Sequence, residues 1–304
     1  MINTKKIWMD GSLIDHDEAK IHVLSHVIHY GSSFFEGIRA YKTKKGTAIF
    51  RLDEHVNRLF DSCKIYYTQI PFTKEEIKQS IIDTVRENNL EEAYIRPIVY
   101  RGYNVLGVDP TNCPVNVTIA AWEWKSFLGE SAIKNGIDAK ISSWARMAPN
   151  TIPALAKAGG NYLSSQLIRM EAMMNGYEEG LALNTQGELS EGSGENIFVI
   201  KDNIVYTPTI ASSALFGITR DTVIKICKVK GYYIIEQSIP RELLYIADEV
   251  FIVGTAAEIT PLKSIDRISI GNGSFKITSE IQNMYYGIVK DEIVIDKEWL
   301  TYVY

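Results

Sequence analysis

The periodic pattern of this chain breaks once in a way that matters for the fold, between Lys125 and Gly136. Ahead of the break, strand-like alternation runs to Trp124. Inside it the alternation stops and Gly129 and Gly136 intervene. Each side carries its own mixture of extended and helical patterns, and 304 residues suit about two domains. The expectation is an α+β protein with a small N-terminal domain over residues 1–124, an interdomain loop over 125–136 and a larger domain over 137–304. At 46% hydrophobic and 23% charged residues, the chain can build a core in each.

In the first part, Lys5 to Met9 and Ser12 to Ile14 flank Asp10-Gly11, the signature of a tight hairpin. A second hairpin is expected from Gly37 to Arg51, turning through Lys44-Lys45-Gly46. Asp53 is placed to cap a helix with Val56, Leu59, Phe60 and Cys63 on one face. Thr73 and Glu76 have capping-box spacing ahead of Ile77, Ile81, Ile82 and Val85. Strands follow at Ala93–Tyr103 and Val115–Trp124, joined by a loop whose Val105, Leu106 and Val108 call for a cover.

In the second part, a strand is expected at Ile137–Trp144. A helix follows from Gly160 to Asn175, with Leu163, Leu167, Met170 and Met174 in a stripe and Gly176 as its stop. Short strands are read at Leu181–Leu183, Ile197–Ile200 and Ile204–Tyr206, the last two turned by Asp202-Asn203. Another helix begins at Thr219, and strands at Tyr232–Glu236 and Glu249–Val253 come after it.

With 32 basic and 37 acidic side chains the net charge is −5, which argues against nucleic acid or an anionic membrane as the main partner. No apolar run approaches the roughly 20 residues of a membrane span, and no signal-peptide pattern follows Lys5-Lys6. Cys63, Cys113 and Cys227 are scattered, as expected in a reducing cytoplasm. His22, His26 and His29 have i, i+4, i+7 spacing, yet Ile21-His-Val-Leu24 has more strand character than helix, so no metal site is expected.

The chemistry points elsewhere. Lys157 lies among small and apolar neighbours in Ala154-Leu-Ala-Lys-Ala-Gly-Gly-Asn-Tyr162, with no carboxylate beside it. Desolvation favours a neutral amine, and a neutral amine forms a Schiff base with an aldehyde. An aldehyde cofactor such as pyridoxal phosphate needs such a lysine, a carboxylate for its ring nitrogen and an anion site for its phosphate. Glu191-Gly-Ser-Gly-Glu-Asn196 offers two carboxylates in a glycine-rich turn that enters a strand, although a plain polar turn has the same composition. It lacks the third glycine and following helix of a dinucleotide fingerprint. Gly217-Ile-Thr-Arg220 opens a helix, where free amides and a hydroxyl suit either a phosphate or an ordinary cap. Gly254-Thr-Ala-Ala-Glu258 follows an apolar strand and can present amides similarly. On Tyr94-Ile-Arg-Pro97, alternation puts Tyr94 and Arg96 on one face, where the arginine needs either a substrate carboxylate or a structural Asp or Glu.

Taken together, these segments resemble the fold-type IV pyridoxal-phosphate enzymes, most closely the branched-chain amino acid aminotransferases. The matching runs include His29-Tyr-Gly-Ser-Ser-Phe-Phe-Glu-Gly-Ile-Arg39, Arg51 to Ser62, Ala93 to Pro97, Ala148 to Pro153, Lys157 to Ser164, Glu191 to Phe198, Ser213 to Arg220 and Gly254 to Pro261. They span nearly the whole chain in order. The resemblance implies a small α/β domain and a larger domain with a sheet or barrel-like core. It implies that Lys157 carries the Schiff base and moves the proton between Cα and C4′, that Glu191 pairs with the ring nitrogen and that Tyr162 bonds the 3′-oxygen. By the same resemblance Arg58, Ile218, Thr219 and Thr255 hold the phosphate, with Gly194, Glu195, Asn196, Leu215 and Gly217 around the cofactor.

For the substrate, the resemblance implies that Tyr94 and the amides of Thr255 and Ala256 take the α-carboxylate, beside Gly37. Phe35, Tyr162 and Trp124 then wall an apolar pocket, and Arg96 at its rim, with Tyr30 from a neighbouring subunit, takes the γ-carboxylate of glutamate. Val108 reaches a partner's site, so a homodimer at least is implied, and similar enzymes also form hexamers. Phe127 stands where relatives often carry Tyr, and Val105-Leu106 replaces smaller or more flexible residues. The implied activity is ping-pong transamination between L-leucine, L-isoleucine or L-valine and 2-oxoglutarate. D-amino acid aminotransferases and aminodeoxychorismate lyases share the scaffold, and a pyridoxal-phosphate-binding protein without turnover is the alternative from another class.

Overall fold

The computed structural model describes residues 4–124 and 129–304. The chain divides into two compact units. The first comprises Met1–Lys125, Ala156–Gly160 and Ile288–Tyr304, and the second comprises Ser126–Leu155 and Asn161–Gly287. The sequence pattern foresees a single crossing at 125–136. It does not foresee the two returns to the first unit, because a five-residue excursion and a C-terminal tail leave no mark on periodicity.

The first unit begins with β1 (Lys6–Met9) and β2 (Ser12–Asp15), then α1 (His26–Tyr30), β3 (Ser33–Phe35), β4 (Ile38–Thr43), β5 (Gly46–Phe50), α2 (Leu52–Ile65), α3 (Lys74–Glu87), β6 (Ala93–Arg101) and β7 (Val115–Glu123). The β1–β2 hairpin turns on Asp10 and Gly11, both with positive φ. The Ile21–Leu24 segment is not a strand: it turns into α1. Helix α2 starts at Leu52 after a left-handed Arg51, so Asp53 lies in the first turn instead of capping it. Thr73 and Glu76 form the expected reciprocal box at the start of α3.

All pairings in this unit's sheet are antiparallel, and Leu300–Tyr302 adds an edge strand to β5. Leu52, Val56, Leu59 and Cys63 of α2 and Ile77, Ile81 and Val85 of α3 are buried with Ile38, Ile49, Ile95, Val99 and Ile119 of the sheet. Strands β3 and β4 lie end to end along β6 in one register, Phe35 opposite Ile98 and Ile38 opposite Ile95. The ladder lapses between them, where Glu36 and Gly37 face Pro97 and Arg96. Proline has no N–H to give, and the ladder is left with a step there.

The second unit contains α4 (Glu130–Asn135), β8 (Ile137–Ile141), α5 (Tyr162–Met174), β9 (Glu179–Leu183), β10 (Leu189–Gly192), β11 (Asn196–Lys201), β12 (Ile204–Thr207), α6 (Ile218–Lys230), β13 (Tyr233–Glu236), β14 (Glu249–Gly254), β15 (Glu258–Ile265), β16 (Ile268–Ser269) and most of α7 (Lys276–Val289), before the edge strand β17 (Leu300–Tyr302) already described. Its sheet runs β10-β9-β8-β15-β14-β11-β12-β13, with β16 on β15. The β8–β9, β8–β15 and β12–β13 pairs are parallel. The stretch expected as a loop thus contains the short helix α4.

On α5 the expected apolar stripe faces outward: Leu163, Leu167, Met170 and Met174 are exposed, and Ser165, Ile168 and Ala172 are buried. A Cβ at Gly180 of β9 would stand 2.6 Å from the Ile168 carbonyl oxygen, so helix and strand approach too closely for a large-residue face. Two sheets with helices give the α+β class read from the pattern.

The reciprocal bonds at Thr73 predict that Thr73→Ala loses about 1 kcal/mol of stability. Urea denaturation of the two proteins measures this. An unchanged midpoint would mean that the box contributes nothing.

Candidate active site

In the first unit the lysine segment is pinned from two sides. The Lys157 N–H donates to Ser62 Oγ at 2.9 Å, and its carbonyl accepts from the Phe35 N–H at 3.1 Å. Ala158 bridges Phe34. Lys157 is half-buried, and its Nζ stands 5.1 Å from the centre of the Phe35 ring. The Arg96 guanidinium packs on the same ring at 4.7 Å and donates to Tyr94 Oη at 3.0 Å. No carboxylate pairs with Arg96 among the described residues, and its buried Nε has no protein acceptor. The Tyr94 ring packs in a tilted arrangement against Trp122, at 5.1 Å between ring centres, and Trp124, at 4.8 Å. A Cβ at Gly37 would collide with Tyr94 Oη, so glycine is what lets the tyrosine lie across the step in the sheet.

Beside this group Glu36 is fully buried. Arg58 grips it with two parallel bonds, Nε to Oε1 and Nη2 to Oε2, both 2.7 Å, and His55 Nδ1 lies 2.7 Å from Oε2. Burial alone would raise the Glu36 pKa, but Arg58 and then His55 outweigh it and hold the carboxyl at about 2. Burial lowers the His55 pKa against the pull of Glu36, so the neutral imidazole donates through Nδ1. His55, Arg58 and Ser62 follow one another at i, i+3 and i+7, on one side of α2.

In the second unit Glu191, one residue before the end of β10, lies under several donors. Arg146 Nη2 is 2.6 Å from Oε1, and the Leu215 N–H is 2.9 Å from Oε2. Asn196 Nδ2 stands 3.4 Å from Oε2 and donates to the Leu215 carbonyl at 2.9 Å. These donors favour the ionised carboxylate. Gly217 precedes α6, whose start has no side-chain cap; a Cβ there would strike Asn196 Oδ1. Ile218 and Thr219 are buried in the first turn. Thr255 and Ala256 lie half-buried in the β14–β15 turn, where a Cβ at Gly254 would stand 3.6 Å from Glu195 Cγ. Tyr162 opens α5 and is half-buried.

Glu195 is buried while its neighbour Gly194 is exposed. The Gly194 N–H donates to Glu195 Oε2 at 3.0 Å, and the Gly192 N–H to the Glu195 carbonyl at 2.6 Å. Burial, then the nearby Glu179, push the Glu195 carboxyl up to about 8. Glu179, fully buried, pairs with Arg169.

Tyr30 is exposed and stacks on His26 at 4.5 Å, and Val108 is 87% exposed. His26 itself bonds Ser32 and the Gly107 carbonyl, His29 the Val23 carbonyl, and His22 stacks on Tyr103. No group of three metal-ligating side chains stands together among the described residues. Phe127 lies outside the described residues. A cavity of about 410 Å³ lined by Asp138, Tyr177, Lys263 and Arg267 holds none of the expected site residues.

The sequence expectations give no role to Glu36, His55, Ser62 or Arg146. A carboxylate inside the apolar run Ser33-Phe-Phe-Glu-Gly-Ile38, with His55 and Arg58 sharing a helical face, is a signal that was there to be read. Nothing around Arg146 marks it, although a buried Glu191 demands a cation somewhere.

A half-buried lysine, an arginine with no acidic partner among the described residues and a carboxylate paired with an arginine are the parts an aldehyde-cofactor enzyme needs. A family model for amino-transferase class IV matches residues 33–265, and the chain belongs to that family. The branched-chain-amino-acid aminotransferase of Escherichia coli K12 is 48% identical over 307 residues, covering 99% of each chain. That of Salmonella typhimurium LT2 is 49% identical over 304 residues, covering 98% of each. Among solved structures, the Escherichia coli branched-chain amino acid aminotransferase has a TM-score of 0.97 at 48% identity, covering 99% of this chain and 100% of that one. The archaeal branched-chain aminotransferase of Thermoproteus uzoniensis, solved with norvaline, has 0.95 at 41% identity, covering 99% of this chain and 100% of that one.

The raised Glu195 pKa has a consequence for stability. Unfolded, this carboxyl ionises near pH 4.3; folded, it keeps its proton to about pH 8. Across that window the folded chain binds more protons, so stability falls as pH rises, by at most about 1.4 kcal/mol per pH unit. Glu195→Gln imitates the neutral form and should flatten the Tm–pH curve between about pH 5 and pH 8. A variant with the wild-type slope would refute the buried neutral carboxyl.

Proposed function

We infer that the chain is a pyridoxal-phosphate-dependent transaminase of L-leucine, L-isoleucine and L-valine with 2-oxoglutarate, working in two half-reactions. The observation that carries this is the Phe35 ring with Lys157 Nζ on one contact and Arg96 on another. A Schiff-base amine stands there within one ring's breadth of an apolar wall and of a cation with no acidic partner among the described residues. Family membership and two relatives named for this activity support the same reading.

The residues fit the cofactor. Glu191 is held ionised by Arg146 and by the Leu215 amide, the form that pairs with a protonated ring nitrogen. The uncapped start of α6 suits a phosphate. Bound pyridoxal phosphate supplies an aldehyde that carries the amino group between half-reactions and a ring that accepts electrons from the substrate Cα.

Lys157 is the attachment point and, once displaced by substrate, the base whose Nζ takes the proton from Cα and delivers it to C4′. Glu191 keeps the ring nitrogen protonated, and Tyr162 donates to the 3′-oxygen. Arg58, Ile218, Thr219 and Thr255 hold the phosphate, with Gly194, Glu195, Asn196, Leu215 and Gly217 shaping the surrounding turns. Tyr94 and the Thr255 and Ala256 amides take the α-carboxylate, with Gly37 leaving room for Tyr94. Phe35, Tyr162 and Trp124 wall the side-chain pocket, and Arg96 accepts a γ-carboxylate at its rim. Val108 and Tyr30, both exposed, serve the site of a second copy, so the enzyme is at least a homodimer; its free cysteines Cys63, Cys113 and Cys227 suit the cytoplasm.

The test is the absorption spectrum of the cofactor-loaded protein on adding L-leucine without any oxo acid. The yellow band should give way to the pyridoxamine form, and 2-oxoglutarate should restore it. A response to D-alanine alone would move the assignment to the D-amino acid enzymes, and silence toward both toward the lyases. Borohydride reduction followed by peptide mapping should place the label on Lys157, and Lys157→Ala should abolish labelling and turnover. A label on any other lysine would overturn its role.

A further inference from the structure

We propose that Glu36 and His55 are positioning residues for the cofactor phosphate, acting through the Arg58 guanidinium. The proposal rests on the phosphate role given to Arg58 above. It adds the two side chains that aim that group.

The geometry is that of a built mount. Two parallel N–H···O bonds of 2.7 Å fix the plane of the guanidinium as well as its position. The carboxylate that receives them is itself fixed, fully buried in the gap between β3 and β4, with its backbone N–H on the Pro97 carbonyl at 3.0 Å. His55 closes the remaining side of Oε2 from the helix that carries Arg58. Arg58 keeps only 13% of its side chain exposed, so the stem is packed while the head is oriented.

Charge sets the sign of the test. Glu36 at −1, Arg58 at +1 and a neutral His55 sum to zero, so the trio offers a phosphate direction and little net charge. If Glu36 merely neutralised Arg58, removing its charge would tighten the binding of a dianion. If it aims Arg58, removing its charge frees a long side chain to turn toward water, and binding weakens. The second follows from the burial of the trio, because a guanidinium this enclosed does not stay in place without its ion pair.

The experiment titrates full-length protein, stripped of cofactor, with pyridoxal phosphate and separately with pyridoxal, which lacks the phosphate. Glu36→Gln and His55→Phe should each raise the Kd for pyridoxal phosphate, Glu36→Gln by on the order of tenfold or more, the scale on which outer-layer partners tune a bound group. Pyridoxal affinity should stay nearly unchanged. In an Arg58→Lys background, Glu36→Gln should add little, since the effect passes through Arg58. Equal weakening of both ligands would show a structural role and overturn the proposal; tighter pyridoxal phosphate binding would overturn it in favour of neutralisation. If Glu36→Gln does not fold, His55→Phe decides the matter by the same ratio. An Arg58→Lys protein that still prefers pyridoxal phosphate over pyridoxal as wild type does would overturn the Arg58 assignment itself.

Discussion

Burying an ionised carboxylate is among the most costly things a fold can do, and Glu36 is buried entirely. The rest of the first unit is arranged around meeting that demand. The sheet opens a step opposite Pro97 to admit the side chain, and α2 turns a polar side, His55 and Arg58, toward it beside an apolar stripe of Val56, Leu59 and Cys63. One turn further, Ser62 on that side holds the Lys157 backbone. A single charge thus ties the step in the sheet, the rotation of a helix and the seat of Lys157 into one arrangement, which is why the pieces occur so close together in space while coming from four separate stretches of sequence.

The second unit solves a related problem twice, with opposite answers four residues apart. Glu191 meets Arg146 and amide donors, which suit its charged form. Glu195 is buried beside another carboxylate, Glu179, so it keeps its proton. The same residue type performs as an anion and as a neutral hydrogen-bonding group because the tight turn between β10 and β11 sends the two side chains into different environments. Spacing alone makes them two carboxylates of one glycine-rich turn, and only the family resemblance gives Glu191 the ring nitrogen and Glu195 a place near the cofactor.

What the sequence makes legible follows the range of the physics. Turn chemistry at Asp10-Gly11 and Asp202-Asn203, the box at Thr73 and the strand alternation around Arg96 act over a few residues and are read directly. The order of matching runs likewise points to the family. The α5 stripe misleads because amphipathic period says that a helix has two faces, and only the closeness of β9 at Gly180 decides which one is buried. Arg51 takes the left-handed conformation ahead of α2, a choice that no capping preference announces. Arg146 and the returns of Ala156–Gly160 and Ile288–Tyr304 depend on contacts between distant segments, where one sequence carries no signal.

The lysine segment is held by its main chain: a hydroxyl on its N–H, a strand amide on its carbonyl and a bridge at the next residue. What such anchoring leaves to move is four methylenes and an amine on a stationary post. For anyone redesigning the substrate range, this separates two kinds of position. Side chains proposed to wall the pocket, such as Phe35 and Trp124, are open to variation through their rings. Ser62 and the backbone of Phe35 serve as foundation, and changes there would shift the reach of the amine before they altered what it meets.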